Sequence, residues 1–372
     1  MSETHSTLAR RYRRLLVAYP RQYRKDRDAE IVDTLLDQAP ADRTRPTLRE
    51  TGNLLCHGMR ARLGRPGSRT VVAWAALAAV LCGLFSAAAA TRLAWETARP
   101  VPGRTEAAAI LDTALPGRQL GRHIGQPDEN QFIVYGEPLR WSHAEELLFG
   151  DGGEYQQNRV GDTIDGPTPA NYRREIADAG DRLRAAGWDV SAPHQQNAAG
   201  CAGPPCDPAT LPQDILITAR RGDTVVEISV TSESEADTTY LTVELYRAAP
   251  WAVWPAGIAA GLIGGLIGWL VFGWASRRTD GRHLLLRALA GTLYGIAIFL
   301  WGLPTALGVA FSAVHHVSEP HAAWHPMWEW LGQPVFSLLF LVGCGSALLG
   351  LAIAAVPRRR AYPATTTATD RP

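Results

Sequence analysis

The sequence predicts a polytopic α-helical membrane protein with four transmembrane helices, a cytoplasmic three-helix head and an extracytoplasmic α+β domain. Four long apolar stretches interrupt the 372 residues of the chain. Residues 1–69 hold 15 Lys/Arg against 8 Asp/Glu, a formal charge of +7, whereas residues 96–249 hold 13 against 24, a formal −11. One apolar stretch separates these two segments, so we expect them on opposite faces of a bilayer. Because positively charged segments are retained in the cytoplasm, the basic segment is the cytoplasmic one.

The four apolar stretches are each long enough to cross a membrane. They cover residues 70–91, 251–275, 285–314 and 335–356. About twenty helical residues at 1.5 Å rise span a hydrocarbon core of roughly 30 Å. Arginines cluster at one end of each stretch, and both termini must be cytoplasmic for all clusters to share one side. This topology makes 92–250 the external domain, 276–284 a cytoplasmic loop, 315–334 an external loop and 357–372 a disordered cytoplasmic tail.

The basic head contains two helical patterns before residue 40. The first runs from about Leu8 to Ala18 and ends before Pro20, because proline disfavours helical geometry in the residue that precedes it. The second runs from about Lys25 to Gln38 and places its apolar residues on one face. Both helices are short and amphipathic.

A third head helix is predicted to begin near Pro46, with Thr44 as its cap. Its apolar face is expected to carry Leu48, Leu55, Met59 and Leu63. Three such helices form a small bundle of marginal stability on its own. We therefore expect the head to dock on something larger.

The head also carries a run of residues that resembles a known family. The run is Arg11-Tyr12-Arg13-Arg14-Leu15-Leu16, then Tyr19-Pro20, Tyr23-Arg24, Glu30-Ile31 and Thr34-Leu35-Leu36. It resembles the helical head of the bacterial helix–turn–helix-associated α-helical signalling and permease-prefix membrane proteins, over roughly 55 residues. The resemblance implies a bacterial cytoplasmic membrane and an interaction module that works with a PadR-like transcriptional regulator. The chain departs from that pattern in its large external segment. The basic charge of the head has a second interpretation, a surface attracted to anionic lipid.

The acidic segment, residues 92–250, predicts an antiparallel sheet with helices on one face. Helices are expected at Glu106–Leu115 and from Thr168, the cap, to Ala186, where Gly187 ends the second helix. Strands are expected at 188–192, 215–220, 224–231 and 240–247. Within the third of these, Val226, Ile228 and Val230 alternate with other residues in the period of a half-buried strand. Residues 118–166 have no periodicity that predicts their structure.

Two cysteines and one triplet in this segment suggest chemistry, and each has a structural interpretation. Cys201 and Cys206 lie in a Gly/Pro-rich loop outside the membrane, where oxidising conditions favour a disulfide between them. A redox or metal role is the alternative, although the spacing is not that of thioredoxin-like proteins. Arg221-Gly222-Asp223 is interpreted as a hairpin turn rather than an adhesion motif. The acidic residues Glu145, Glu146, Glu233, Glu235 and Asp237 offer oxygens for a hard cation, but solvated surface explains them as well.

The external loop between the third and fourth stretches concentrates histidine. His315, His316, His321 and His325 fall within eleven residues. On a helix, His321 and His325 would present two imidazoles to one zinc or copper ion. Proton sensing and a plain interfacial loop are the alternatives, and Pro320 and Pro326 argue against a regular helix there.

The second apolar stretch carries glycines four residues apart, which let another helix approach closely. Gly257, Gly261 and Gly265 form one set, and Gly264 and Gly268 the other. They predict either a homo-oligomer seam or packing among the four helices of one chain. No Asp, Glu or Lys lies near the middle of a stretch, which argues against a proton pump or an ion-coupled transporter.

Three function classes remain after these observations. The first is a signalling or regulatory membrane protein, whose external domain senses envelope conditions and whose head contacts a cytoplasmic regulator. The second is an accessory or assembly subunit of a membrane transport complex. The third is a metal-binding or redox membrane protein. Because no catalytic constellation appears, we expect no enzymatic activity, and we expect no direct binding of nucleic acid.

Overall fold

The computed structural model describes most of the chain. The described residues are 3–40, 42–65, 67–118, 132–134, 137–138, 141–143, 145, 153–155, 159–164, 172–197, 213–233, 238–318 and 337–357. Contacts divide the chain into two units. The first comprises Met1–Val80, Leu266–Leu300 and Val342–Pro372, and the second Leu81–Gly265 and Trp301–Leu341.

The head, in the first unit, folds into three helices around one small core. They are α1 (Glu3–Leu15), which continues as a 3₁₀ turn (Leu16–Ala18), α2 (Arg21–Asp37) and α3 (Leu48–Ala61). The core residues, each under a tenth exposed, are Leu8, Ala9, Tyr12, Leu16, Tyr19, Val32 and Leu54. The three predicted helices are therefore present within a few residues of their expected bounds.

The start and the buried face of α3 correct the sequence prediction. The helix begins at Leu48 with Thr47 as its N-cap, not Thr44, because Thr47 and Glu50 form a reciprocal capping box. Leu48 is 93% exposed and Leu55 is 41% exposed, so neither lies in the core. Leu54 is buried in their place, because the face of α3 that packs with the α1 residues of the core carries Leu54.

The second unit carries the polar segment between the first two apolar helices. The first apolar helix is α4 (Arg69–Trp95), and α5 (Arg104–Ala114) follows it. A three-stranded sheet contains β1 (Phe132–Val134), β2 (Glu137–Pro138) and β3 (Gly153–Tyr155) in the order β2-β1-β3. The main sheet has six antiparallel strands and receives one more helix, α6 (Tyr172–Ala185). Its strands are β4 (Arg159–Thr163), β5 (Asp189–Val190), β6 (His194–Asn197), β7 (Gln213–Arg221), β8 (Thr224–Glu233) and β9 (Thr238–Arg247).

The strand order of the main sheet is β4-β9-β8-β7-β5, with β6 also paired to β7, and hairpins join β7 to β8 and β8 to β9. The core lies between this sheet and helices α5 and α6. Ile176 and Leu183 of α6 pack there with Ile228 of β8, and each is at most 1% exposed. The predicted alternation in β8 is confirmed, and β9 alternates as regularly because Leu241, Val243 and Leu245 are all buried.

Strand β4 is an element that periodicity did not predict. It is five residues long, and its pairing with β9 runs from Arg159 opposite Tyr246 to Thr163 opposite Thr242. Its residues do not alternate between apolar and polar in the sequence, so a long-range partner, β9, defines the strand.

The predicted end of α6 at Gly187 is confirmed. Gly187 has φ 82° and so adopts the left-handed conformation that favours glycine. Trp188 N–H donates to Leu183 O and Gly187 N–H donates to Arg184 O, which is a Schellman motif. The predicted cap, Thr168, lies outside the described residues.

Four helices are long and apolar enough to cross a membrane, as the sequence predicted. After α4 they are α7 (Val253–Thr279), α8 (Leu284–Ser318) and α9 (Ser337–Ala355). Their most apolar windows have mean hydropathies of 2.2, 1.9, 1.8 and 2.3 in chain order. The protein is therefore a multi-pass membrane protein by the length and composition of its helices. Helix α8 runs four residues beyond the predicted limit, so His315 and His316 belong to it and not to a loop.

The glycine face of α7 packs against α4 within the second unit. A Cβ at Gly257 would lie 2.7 Å from Thr91 Cγ2, and a Cβ at Gly264 would lie 2.8 Å from Cys82 O. Such distances exclude any side chain, so glycine permits the two backbones to approach. Intramolecular packing against α4 accounts for these two glycines, and the homo-oligomer through this helix stays a prediction.

The tryptophans near the ends of α4 and α7 differ in their burial. Trp95 is 4% exposed and packs with Ala88, Ala94 and Val253. Trp251 and Trp254 are 86% and 73% exposed, as an interfacial position requires. Trp95 therefore has a packing role where α4 and α7 meet.

Candidate functional site: the junction of the head with α7

A polar cluster fixes the start of α3 against α1. Tyr12, which is fully buried, donates its hydroxyl to Glu50 Oε2 over 2.8 Å, and Arg43 Nη2 donates to Glu50 Oε1 over 2.8 Å. Thr47 N–H donates to Glu50 Oε2 over 3.0 Å. Burial alone would raise the pKa of Glu50, but these hydrogen bonds outweigh it and hold the pKa below its usual value. The carboxylate is therefore charged and fully bonded, and it sets the direction in which α3 leaves the bundle.

The C-terminal end of α3 packs closely against the turn between α1 and α2. A Cβ at Gly58 would lie 2.9 Å from the carbonyl carbon of Ala18, so only glycine allows this approach. The Arg62 guanidinium donates to three successive carbonyl oxygens, Ala18 O at 2.6 Å, Val17 O at 2.7 Å and Tyr19 O at 3.3 Å. These carbonyls end a short helical segment and have no helical donor of their own.

The surroundings of Arg62 disfavour its positive charge, as the direction of its pKa shift indicates. Burial, and after it the nearby charge of Arg24, lowers the pKa of Arg62. An arginine nevertheless stays protonated, and its planar fork of donors suits several carbonyls at once. Arg62 therefore joins the end of α3 to the end of α1 by hydrogen bonds.

The last turn of α3 and the segment that follows it pack against the end of α7. Trp269 Nε1 donates to Met59 O over 3.0 Å, and a Cβ at Gly273 would lie 2.9 Å from Arg62 O. Gly64 adopts φ 77° beside the Arg277 side chain. One turn further, Arg65 donates to Asp280 in an ion pair. We call residues 58–65 together with 269–280 the head junction, and all of them belong to the first unit.

Comparison of the chain with protein-family models, with curated proteins and with solved structures finds no match. The functional argument therefore depends on the geometry of the chain itself.

A second polar cluster lies where the sheet of the second unit joins α4 and α7. Arg99 Nε donates to Asp223 Oδ2 over 2.6 Å, and a second donor of the same guanidinium reaches Oδ1. Arg247 is 6% exposed, donates to Pro100 O over 2.8 Å and lies 3.5 Å from Asp223. The bond from Arg99 is the main reason that the pKa of Asp223 lies below its usual value, and the charge of Arg247 adds to it. We call these residues, with Thr224, the sheet-base cluster.

The sheet-base cluster gives the Arg221-Gly222-Asp223 triplet its role. Gly222 has φ 63°, and Arg221 pairs with Thr224, so Gly222 and Asp223 form a two-residue hairpin turn. The turn interpretation is confirmed. The Asp223 side chain of this turn is held by Arg99 from the linker after α4.

The predicted metal and disulfide residues are only partly described. His315 and His316 lie in α8, whereas His321, His325, Cys201 and Cys206 lie outside the described residues. Of the acidic candidates, Glu146, Glu235 and Asp237 also lie outside them. Across the described ranges, no group of three His, Cys, Asp or Glu side chains is placed to hold a metal ion. The zinc or copper site and the disulfide stay predictions.

The sequence did not indicate that Arg62, Arg65 and Arg99 have structural partners. Arg62 and Arg65 were positive charges before the first apolar stretch, and Arg99 was one of the charges of residues 96–249. A signal was present in Gly58 and Gly273, because glycine inside a helix marks close backbone approach when nothing else explains it. Nothing in the local sequence indicates the partners of these residues, which are distant in the chain.

Proposed function

We propose that the chain is a signalling membrane protein of a bacterial cytoplasmic membrane, whose external sheet domain senses envelope conditions and whose head contacts a cytoplasmic regulator. Both termini are cytoplasmic in this proposal. The separation of basic residues 1–69 from acidic residues 96–249 supports that orientation. The four apolar helices support the membrane location.

The observation that carries the proposal is the head junction. A head on a flexible tether would be insensitive to the membrane helices. Here the end of α3 is bonded to α7 by Trp269 and Met59, and the following turn by Arg65 and Asp280. Because these bonds join the two elements directly and the packing at Gly273 admits no side chain, a rotation or shift of α7 must move α3 or break the contacts.

In the same proposal, the sheet-base cluster transmits a change in the sheet domain to the membrane helices. Arg247 lies at the end of β9, six residues before α7 begins, and it donates to Pro100 O in the linker that follows α4. A ligand or a change of conditions that repacks the sheet would therefore act on both linkers. The seam of Gly257, Gly261 and Gly264 lets α4 and α7 respond as a closely packed pair.

Two other functions stay open as proposals. An accessory or assembly subunit of a transport complex is suggested by the permease-prefix side of the resemblance. A metal-binding or redox protein is suggested by His321, His325 and the Cys201–Cys206 pair. The signalling proposal ranks first because the head junction gives it a physical connection, which neither alternative uses.

The test is affinity purification of tagged full-length protein in mild detergent from its own cells, with co-purifying proteins identified by mass spectrometry. One comparison lacks residues 1–63, and a matched truncation lacks residues 358–372. A transcriptional regulator that disappears only with the head supports signalling. Transport subunits that persist without the head favour the accessory role. Identical protein lists from all three samples, with no specific partner, contradict both.

A further inference from the structure

A cavity of about 270 Å³ lies in the first unit between the ends of three apolar helices. It is enclosed by the start of α4 with the residues before it, the last turns of α7 and the first turns of α8. The side chains that matter for binding are Arg65, Trp74, Phe272, Thr279, Arg287 and Tyr294. The cavity borders the head junction at Arg65 and at residues 272–279, but the proposed signalling function assigns it no ligand.

The cavity holds one positive charge that the protein does not neutralise. Arg65 is paired with Asp280, so its charge is largely compensated. Arg287 is exposed, and across the described ranges its side chain has neither a hydrogen bond nor an ion pair. A cation at the end of a membrane-spanning helix attracts an anion from the headgroup layer.

Helix α8 adds an aromatic ring to the cavity two turns beyond the cation. Tyr294 lies seven residues after Arg287, on the same face of α8, and lines the cavity. Its hydroxyl is shielded from solvent, so the ring is the part of the side chain that a ligand can contact. Arg287 and the Tyr294 ring can therefore contact different parts of one elongated ligand.

Apart from Ser276 and Thr279, the remaining walls of the cavity are apolar. Trp74 is 41% exposed, and the Phe272 and Tyr294 ring centroids are 6.3 Å apart. No atom lies within 4 Å of a Cβ added at Gly291 or Gly295, so the two glycines leave a groove along α8. A ligand that fits these walls has an anionic head and an apolar body.

We propose that this cavity binds an anionic phospholipid, with a phosphate oxygen on Arg287 and the glycerol ester region along the groove at Gly291 towards the Tyr294 ring. A volume of about 270 Å³ holds the headgroup and the beginning of the acyl chains, and the rest of each chain lies in the bilayer. Free inorganic phosphate offers the same charge but leaves the aromatic walls without a partner. The lipid is therefore the occupant that the cavity selects.

The experiment uses purified full-length protein in nanodiscs of phosphatidylcholine with a small fraction of phosphatidylglycerol of identical acyl chains. Lipids retained after transfer to detergent are counted by native mass spectrometry. The variants are Arg287→Gln, which removes the cation, and Gly291→Leu, which fills the groove without a clash and without a change of charge. Arg278→Gln is the matched control, because Arg278 lies at the same end of the helices but stacks on Trp274 outside the cavity.

The wild type and Arg278→Gln should retain phosphatidylglycerol in preference to phosphatidylcholine. Arg287→Gln and Gly291→Leu should each lower that retention about tenfold, since a charge-assisted contact or the space for the ligand is lost. Equal retention of the two lipids by the wild type overturns the proposal. An equal loss in Arg278→Gln and Arg287→Gln, or no loss in Gly291→Leu, also overturns it. Displacement of the lipid by millimolar inorganic phosphate would show a phosphate site in place of a lipid site. None of these results depends on a signalling partner.

Discussion

Trp269 donates its indole N–H to the carbonyl oxygen of Met59, and this bond joins the last turn of α3 to α7. The carbonyl of Met59 belongs to the last four of its helix, which have no donor within the helix. The indole supplies that donor while its ring stays in apolar surroundings. One contact therefore satisfies the end of a head helix and anchors the head to a helix long enough to cross the membrane.

Replacing Trp269 by Phe should loosen the head without unfolding α7. The ring is largely kept, but the hydrogen bond to Met59 is lost, at a cost of about 1 kcal/mol. We expect amide hydrogens in residues 48–61 to exchange about fivefold faster, as measured by hydrogen–deuterium exchange with mass spectrometry. Trp251→Phe, at an exposed tryptophan, should leave that exchange unchanged. If both variants behave alike, the bond does not hold the head.

Replacing Tyr12 by Phe should destabilise the head itself. The hydroxyl that donates to the charged Glu50 is removed from a fully buried site, which costs about 1.5–3 kcal/mol. Thermal unfolding of the purified protein should show an earlier transition for the head, or exchange should rise throughout residues 3–61. Tyr23→Phe is the control, because Tyr23 contributes its ring to a stack on Tyr19 and that ring remains. Equal stability of the two variants would show that the Glu50 cluster is dispensable.

Replacing Gly264 by Val should disrupt the contact between α4 and α7. Its Cβ would lie 2.8 Å from Cys82 O, so the helices must separate, at a cost of about 1–3 kcal/mol. We expect a lower midpoint of thermal unfolding in detergent. Gly345→Val in α9 is a matched control, since no atom lies within 4 Å of its added Cβ. If Gly345→Val lowers the unfolding midpoint more than Gly264→Val does, the close contact between α4 and α7 does not stabilise the protein.

Replacing Asp223 by Asn should make the sheet domain less stable at neutral pH only. The pKa of Asp223 is lowered in the folded protein, chiefly by the bond from Arg99, so the carboxylate contributes stability above its unfolded pKa. That contribution is lost as pH falls through about 4 and below, where the wild-type carboxyl is also protonated. Unfolding midpoints of the two proteins should therefore differ at pH 7 and converge in acid. Asp178→Asn, at an exposed aspartate of α6, should show no pH-dependent difference; a constant difference for Asp223→Asn would argue against the ion pair.

Removing His321 and His325 tests the predicted metal site. If the site exists, purified protein should hold near-stoichiometric zinc or copper, and the double variant His321→Ala, His325→Ala should lose it. Metal content is measured by inductively coupled plasma mass spectrometry after dialysis. The double variant His194→Ala, His283→Ala removes as many histidines from exposed positions and should keep the metal. Equal metal content in all three proteins would end the hypothesis.

The extent to which the sequence predicted the fold varies with the range of the interactions involved. The four apolar helices were placed within about four residues, because hydropathy is a property of consecutive residues. Gly187 and the Gly222-Asp223 turn were also predicted correctly, since both depend on local backbone conformation. Strand β4 was not predicted, because its pairing with the distant strand β9 defines it. The start and the buried face of α3 were not predicted either, because the cap at Thr47 sets the start and packing in the core sets the face.

The sequence by itself determined the apolar helices, the contrast of charge between residues 1–69 and 96–249, and the glycine spacing on α7. These follow from local composition and periodicity. Only the tertiary structure decided that α4 covers the glycine face, that Arg99 holds Asp223, and that Trp269 holds the end of α3. The last two pairs are separated by 124 and 210 residues, so the physical reason is that chain folding, not spacing, brings each donor to its acceptor.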